Sequence, residues 1–177
     1  MLAFADEAEP STVIGDDGHS ESSESRTSST IFLKHDETPI VNGLAERVSD
    51  TINIPLGHAE EIQLLRYEIG QEYKPHFDAF EKDHASYREI RQSGWAEGNR
   101  VITTMGYLTD VYKGGQTWFP ELGITIAPKA GRLLLWENCI DEKYDEPHPQ
   151  SKHGALPVIE GTKVCFTIWF RENELHA

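Results

Sequence analysis

Hydrophobic positions recur with two different periods along this chain, and the change of period divides it. Ile40, Leu44, Val48 and Ile52 are spaced every four residues, with Glu46, Arg47 and Asp50 off that stripe. This pattern predicts an amphipathic helix of about three to four turns whose apolar stripe is that set. Thr38 before Pro39 supplies its N-cap and first helical residue, and Asn53-Ile-Pro-Leu-Gly57 ends it. From residue 61 the period falls to two. Strands are predicted at 62–67, 72–78, 100–108, 116–119, 124–127, 132–136 and 163–170, with an earlier one at 30–33. The last alternates Val164, Phe166, Ile168 and Phe170 against Cys165, Thr167 and Trp169. Gly70-Gln71, Gly114-Gly115 and Pro128-Lys-Ala-Gly131 punctuate the run as turns.

Residues 1–9 read as a short helical stretch stopped by Pro10. Residues 11–29 read as a mobile surface segment in preference to a substrate-contacting lid, with a short strand at 11–14. Polar residues at 80–99 and 141–150 form loops. About seven or eight short strands after one or two helices predict a mainly β fold with flanking helices, a sandwich or jelly roll. At 177 residues the chain reads as a single domain, 1–177.

Composition narrows the function classes. The formal net charge is −14, which argues against nucleic acid as a partner and for a neutral or basic substrate. No apolar run approaches a membrane span, and the start has no basic region of a signal peptide. Cys139 and Cys165 lack the spacing of a disulfide framework or a zinc ribbon. They read as buried thiols in a reducing cytoplasm, and the protein as a monomer or homodimer.

One stretch carries chemistry. In Tyr73-Lys-Pro-His-Phe-Asp78, His76 and Asp78 sit two apart, and on a strand such residues share a face. One imidazole and one carboxylate make two thirds of the facial triad of non-haem Fe(II) oxygenases. The third ligand should be a distant histidine. His153 is the choice, with His84 and His148 as rivals in polar loops. A bound 2-oxo acid needs a cation for its far carboxylate. Lys163 follows His153 at hairpin distance, and a buried lysine requires an anionic partner. Thr117 adds a hydroxyl donor. Taken singly, the H-x-D pair matches by chance, the double glycine is a turn and Lys163 is a strand-edge charge. Their order along one chain outweighs those readings.

That order closely resembles the prolyl 4-hydroxylase branch of the 2-oxoglutarate- and Fe(II)-dependent dioxygenases, from about Arg26-Thr-Ser28 to Arg171. The resemblance is strongest in Leu65-Arg-Tyr-Glu-Ile-Gly-Gln-Glu-Tyr-Lys-Pro-His-Phe-Asp78, Arg100-Val-Ile-Thr-Thr-Met-Gly-Tyr-Leu108, Gly114-Gly-Gln-Thr117, His153-Gly-Ala-Leu-Pro-Val158, Gly161-Thr-Lys163 and Trp169. It implies a double-stranded β-helix, a jelly-roll variant. His76, Asp78 and His153 match the metal ligands, and Lys163 matches the lysine that pairs with 2-oxoglutarate. Tyr67 and Thr117 match co-substrate hydrogen-bonding positions. Tyr73, Arg100 and Trp169 match residues lining the peptidyl-proline groove. The implied cofactors are Fe(II), 2-oxoglutarate and O₂, with ascorbate as an optional accessory. The implied reaction is C4 hydroxylation of proline in a peptide or protein, with succinate as co-product. The same chemistry on free proline or another residue is the alternative, and a cupin-like metal-binding module without oxygenase activity is the third reading. The family pattern after the distal histidine is Ala-Gly-Cys; here it is Gly154-Ala155-Leu156. The family domain opens with a strand and a full helix. This chain is expected to start within that helix, lacking the strand. No peptide-substrate-binding domain is expected before the catalytic one, so the resemblance is closer to the simpler microbial or algal enzymes than to the collagen-modifying tetramers.

Overall fold

Lys163–Arg171, the strand with the strongest alternation, lies within a six-stranded antiparallel sheet. The computed structural model describes residues 1–14, 20–21, 23–81, 98–140, 144 and 146–175. In chain order the elements are α1 (Leu2–Ala5), β1 (Glu9–Pro10), β2 (Val13–Ile14), β3 (Ser20–Glu21), β4 (Ser29–Leu33), α2 (Pro39–Ile52), β5 (Ile62–Tyr67), β6 (Tyr73–His76), β7 (Arg100–Tyr107), β8 (Lys113–Gly114), β9 (Thr117–Phe119), β10 (Ile124–Ile126), β11 (Leu133–Glu137), β12 (His153–Ala155), β13 (Val158–Glu160) and β14 (Lys163–Arg171). The large sheet has the order β1-β4-β5-β14-β7-β11 and the small one β10-β9-β12-β6. Two sheets enclosing a cavity lined from both sides make the double-stranded β-helix expected from the sequence.

Alternation along β14 separates two environments. Val164, Phe166, Ile168 and Phe170 join a core with Leu33, Ile62, Leu64 and the buried face of α2. The opposite face sends Lys163, Thr167 and Trp169 into the cavity. Every residue of β14 is buried.

Helix α2 begins where the sequence places it. The Thr38 hydroxyl accepts the Val41 backbone N–H at 3.2 Å, and Asn53 ends the helix in the left-handed conformation at φ 56°. The stripe differs from the expected one. Val41, Ala45 and Val48 are buried, while Ile40 is 72% exposed. Steps of four residues drift about 40° each around a 3.6-residue helix, whereas 41, 45, 48 and 52 stay on one side.

The N-terminus also departs from expectation. The helix stops at Ala5, and Glu9–Pro10 pairs with Ser29 and Thr30 as an edge strand of the large sheet. An edge tolerates proline because its missing N–H costs no ladder bond. Segment 11–29 is not simply a surface tether. Its strand lies at Val13–Ile14, paired with β3. Further on, Lys74 donates its N–H to the Ser25 carbonyl at 2.8 Å, and Thr27 to that of Glu72 at 3.0 Å. Ser25 and Arg26 are thereby laid along β6 as part of the cavity wall. Most of the predicted loops 80–99 and 141–150 lie outside the described residues. Among the described residues no helix is long and apolar enough to cross a membrane. No disulfide joins Cys139 and Cys165, both buried.

Candidate active site

His76 closes β6 and His153 opens β12, and the two are direct cross-strand partners in the small sheet. Antiparallel pairing therefore brings together residues 77 positions apart, with ring centroids 4.4 Å from each other. Close approach of the two strands requires Gly154. A Cβ there would lie 2.8 Å from the Tyr73 carbonyl oxygen. The small residue next to the distal histidine is thus a packing necessity.

Asp78 reaches the pair by a different route from the one expected. Strand β6 ends at His76, so the carboxylate is not delivered by strand alternation. It sits just past the strand end, 7% exposed. There His76 Nε2 lies 3.6 Å from its Oδ1 and His153 Nε2 lies 3.5 Å from its Oδ2. One ligand atom from each of the three residues falls within 4.8 Å of the others. His148 instead caps the turn at Pro149–Ser151, its Nδ1 accepting the Gln150 N–H at 3.1 Å. His84 lies outside the described residues.

Hydrogen bonds fix which nitrogens face inward. His76 Nδ1 lies 2.9 Å from the Lys74 carbonyl and His153 Nδ1 lies 2.8 Å from that of Ser151. A carbonyl only accepts, so each Nδ1 carries the proton and a neutral ring presents its lone pair on Nε2. Burial draws His153 down to about 4, so this ring is neutral at physiological pH. Burial alone would push the Asp78 carboxyl up. The neighbouring imidazoles and the Arg100 guanidinium outweigh it and hold the carboxyl well below the usual range. Lone pairs and a carboxylate facing one another repel unless a cation lies between them. The donor set therefore fits a divalent metal held by two imidazoles and one carboxylate.

Aromatic side chains hold the two histidines in place. Tyr73 stacks on His76 with centroids 3.6 Å apart at 17°. Trp136 meets His153 edge-on at 4.7 Å. Thr103 donates its hydroxyl to Asp78 Oδ2 at 2.7 Å.

Lys163 lies deeper in the same cavity, which has a volume of about 540 Å³. The expected hairpin with His153 does not form. Strand β13 intervenes and pairs with β8, so His153 stays in the small sheet while Lys163 opens β14 in the large one. The two face a shared space from opposite walls. Lys163 is 1% exposed, and no carboxylate among the described residues pairs with it. Burial lowers its pKa. Its ammonium lies 4.9 Å from the ring centre of Tyr67, its cross-strand partner. Thr117, on β9, accepts a hydrogen bond from Tyr107 at 2.6 Å and keeps its own proton, whose other contact is the Met105 sulfur at 4.0 Å. A buried cation with a hydroxyl donor near it fits a carboxylate brought by a ligand.

At the other end of the cavity, the Arg100 guanidinium lies over Trp169 with its Cζ 3.6 Å from the ring centre. Its Nε and one terminal nitrogen each donate to Glu60 at 2.7 Å. Arg100 thus lines the cavity and pairs with Glu60 at once. Arg171 lies 2.6 Å from the same Glu60 carboxylate. Every residue given a site role by the family resemblance lines this cavity. Sequence reasoning missed Arg26, Glu60, Thr103, Tyr107, Trp136 and Asn138. Of these Arg26, Thr103 and Tyr107 lay within stretches quoted for the resemblance; Glu60, Trp136 and Asn138 carry no local signal.

Comparison with known proteins adds to this geometry. A family model described as the 2OG-Fe(II) oxygenase superfamily matches residues 62–171. The chain is 37% identical to a probable prolyl 4-hydroxylase 4 of Arabidopsis thaliana over 175 residues, covering 87% of this chain and 55% of that one. It is 34% identical to the human prolyl 4-hydroxylase subunit alpha-1 over 149 residues, 84% of this chain and 27% of the other. The chain thus spans about half the length of the plant relative. Among solved structures it resembles the 2OG complex of a viral collagen prolyl hydroxylase from Paramecium Bursaria Chlorella virus-1. There the TM-score is 0.69 at 25% identity, over 84% of this chain and 80% of that one.

Proposed function

Because the chain belongs to the 2OG-Fe(II) oxygenase superfamily, we propose that it is a prolyl 4-hydroxylase acting on proline in a peptide or protein. The observation that carries the reading is one cavity holding both the His76, Asp78 and His153 donor set and a buried Lys163 with no carboxylate partner among the described residues. A cupin-like binding module has no need of that lysine.

His76, Asp78 and His153 would hold Fe(II) through two nitrogens and one carboxylate oxygen. With 2-oxoglutarate and O₂ bound, the metal supplies the oxidising chemistry that couples decarboxylation to succinate with oxygen insertion at proline C4; ascorbate serves as an accessory reductant. Lys163 and the Thr117 hydroxyl bind the far carboxylate of 2-oxoglutarate, and Tyr67 walls that end. Tyr73, Arg100 and Trp169 seat the peptide. The Trp169 indole N–H is buried without an acceptor among the described residues, a donor left for a peptide carbonyl. The polyproline II form of a proline-rich peptide, which has no internal hydrogen bonds, offers such carbonyls. We read residues 1–177 as one catalytic domain, and the thiols of Cys139 and Cys165 as suited to the cytoplasm.

Mass spectrometry of proline-rich peptides incubated with the protein, Fe(II) and 2-oxoglutarate tests the reading. One added oxygen on proline, lost in His153→Ala and Asp78→Ala, is the expected result. Full activity in either variant refutes the metal assignment, and oxidation confined to free proline refutes the peptide substrate.

A further inference from the structure

Asp78 and His153 are joined by a buried hydrogen-bonded chain that bypasses the metal position. Thr103, on β7, lies 2.7 Å from Asp78 Oδ2. Asn138, just past β11, donates through Nδ2 to the same Thr103 oxygen at 2.7 Å. The direction of these bonds is forced. A carboxylate only accepts and an amide nitrogen only donates, so the Thr103 proton goes to Asp78. The chain continues through the Asn138 backbone carbonyl, which accepts the His148 N–H at 2.8 Å, to the His148 carbonyl, which accepts the Ser151 hydroxyl at 2.8 Å; that hydroxyl also lies 3.3 Å from the Asn138 carbonyl. The Ser151 carbonyl in turn accepts from His153 Nδ1 at 2.8 Å. Thr103 and Asn138 are each 0% exposed, and Ser151 3%.

We propose, on the basis of the metal-site reading above, that Thr103 and Asn138 are positioning residues that make Asp78 a one-oxygen ligand and tie its orientation to that of His153. With Oδ2 engaged by Thr103, Oδ1 keeps its lone pairs for a cation. A carboxylate so held does not swing to offer both oxygens, which leaves coordination positions for the bidentate co-substrate and O₂. The apolar alternative at position 103, a valine of nearly the same volume, would fill the space and leave the carboxylate free to rotate. Hydrogen bonds of this kind around ligating groups set metal affinity by roughly 10- to 100-fold.

Anaerobic titration of the metal-free protein with Co(II), followed by visible absorption and calorimetry, tests the proposal without reference to turnover. Thr103→Val should bind Co(II) roughly 10- to 100-fold more weakly with an altered ligand-field spectrum, and Thr103→Ser should restore both. Asn138→Asp, which removes the donor to Thr103, should shift the spectrum in the same direction and carries the test should Thr103→Val not fold. Wild-type affinity and spectrum in Thr103→Val, or a Thr103→Ser no better than Thr103→Val, overturns the positioning role while the metal site stands. A wild-type protein that takes up no Co(II) overturns the metal-site reading, and this proposal with it.

Discussion

The two faces of β14 are equally buried and opposite in character. One face packs Val164, Phe166, Ile168 and Phe170 against α2. The other carries Lys163, Thr167 and Trp169 into the cavity. The apolar face is complete without a ligand, since its side chains satisfy one another. The polar face is not. Lys163 is buried with no counter-charge among the described residues, and the Trp169 N–H has no acceptor among them. Burial on the first face contributes stability. On the second it stores a demand that a ligand must meet.

Substitutions on the two faces should therefore separate stability from binding. The largest effect is expected from Phe166→Ala, at about 3–5 kcal/mol of folding stability by denaturant titration; a loss below ~1 kcal/mol would show that the α2 face is not a packed core. Next, Lys163→Met should raise the 2-oxoglutarate requirement roughly 100-fold, or about 3 kcal/mol, through loss of charge-assisted bonds. The ligand-free protein should become more stable, because an uncompensated buried ammonium is gone. Destabilisation of that variant would contradict the contrast between the faces.

A pH comparison sharpens the same point with a smaller effect. The folded-state pKa of Lys163 lies below its ordinary value of 10.5. Between those two values the unfolded chain holds a proton that the folded one has released, so stability rises with pH. Ligand-free wild type should gain on Lys163→Met as pH climbs toward 10.5. Saturating 2-oxoglutarate, which favours the charged lysine, should remove the gain. Parallel pH profiles for the two proteins would dismiss the buried charge as a factor. Smallest of all, Ile40→Ser should change stability by no more than about 0.5 kcal/mol, since Ile40 is solvent-exposed. A loss near ~2 kcal/mol would return Ile40 to the core stripe.

Much of this was legible in the residues. Period-two alternation located β5, β7 and β14, and Thr38-Pro39 marked the start of α2. The H-x-D pair, the distal histidine and the lysine after it read as parts of one site, and all four line one cavity. Errors arose where a local rule was extended past its range. Strand alternation was credited with placing Asp78, which lies beyond the strand. Adjacency in sequence suggested a hairpin for His153 and Lys163, which belong to different sheets.

The sequence alone determined which side chains could serve: two imidazoles, a carboxylate and a lysine, in an order that few other folds would use. It also determined the periods that sort apolar from polar faces, because those follow from backbone geometry within a few residues. Only the tertiary structure decided how the site is braced. The bond from Thr103 to Asp78, the amide of Asn138 behind it and the sharing of Glu60 by Arg100 and Arg171 join residues 25 to 111 positions apart. Such contacts depend on how two twisted sheets meet, and no local stretch of chain encodes that distance.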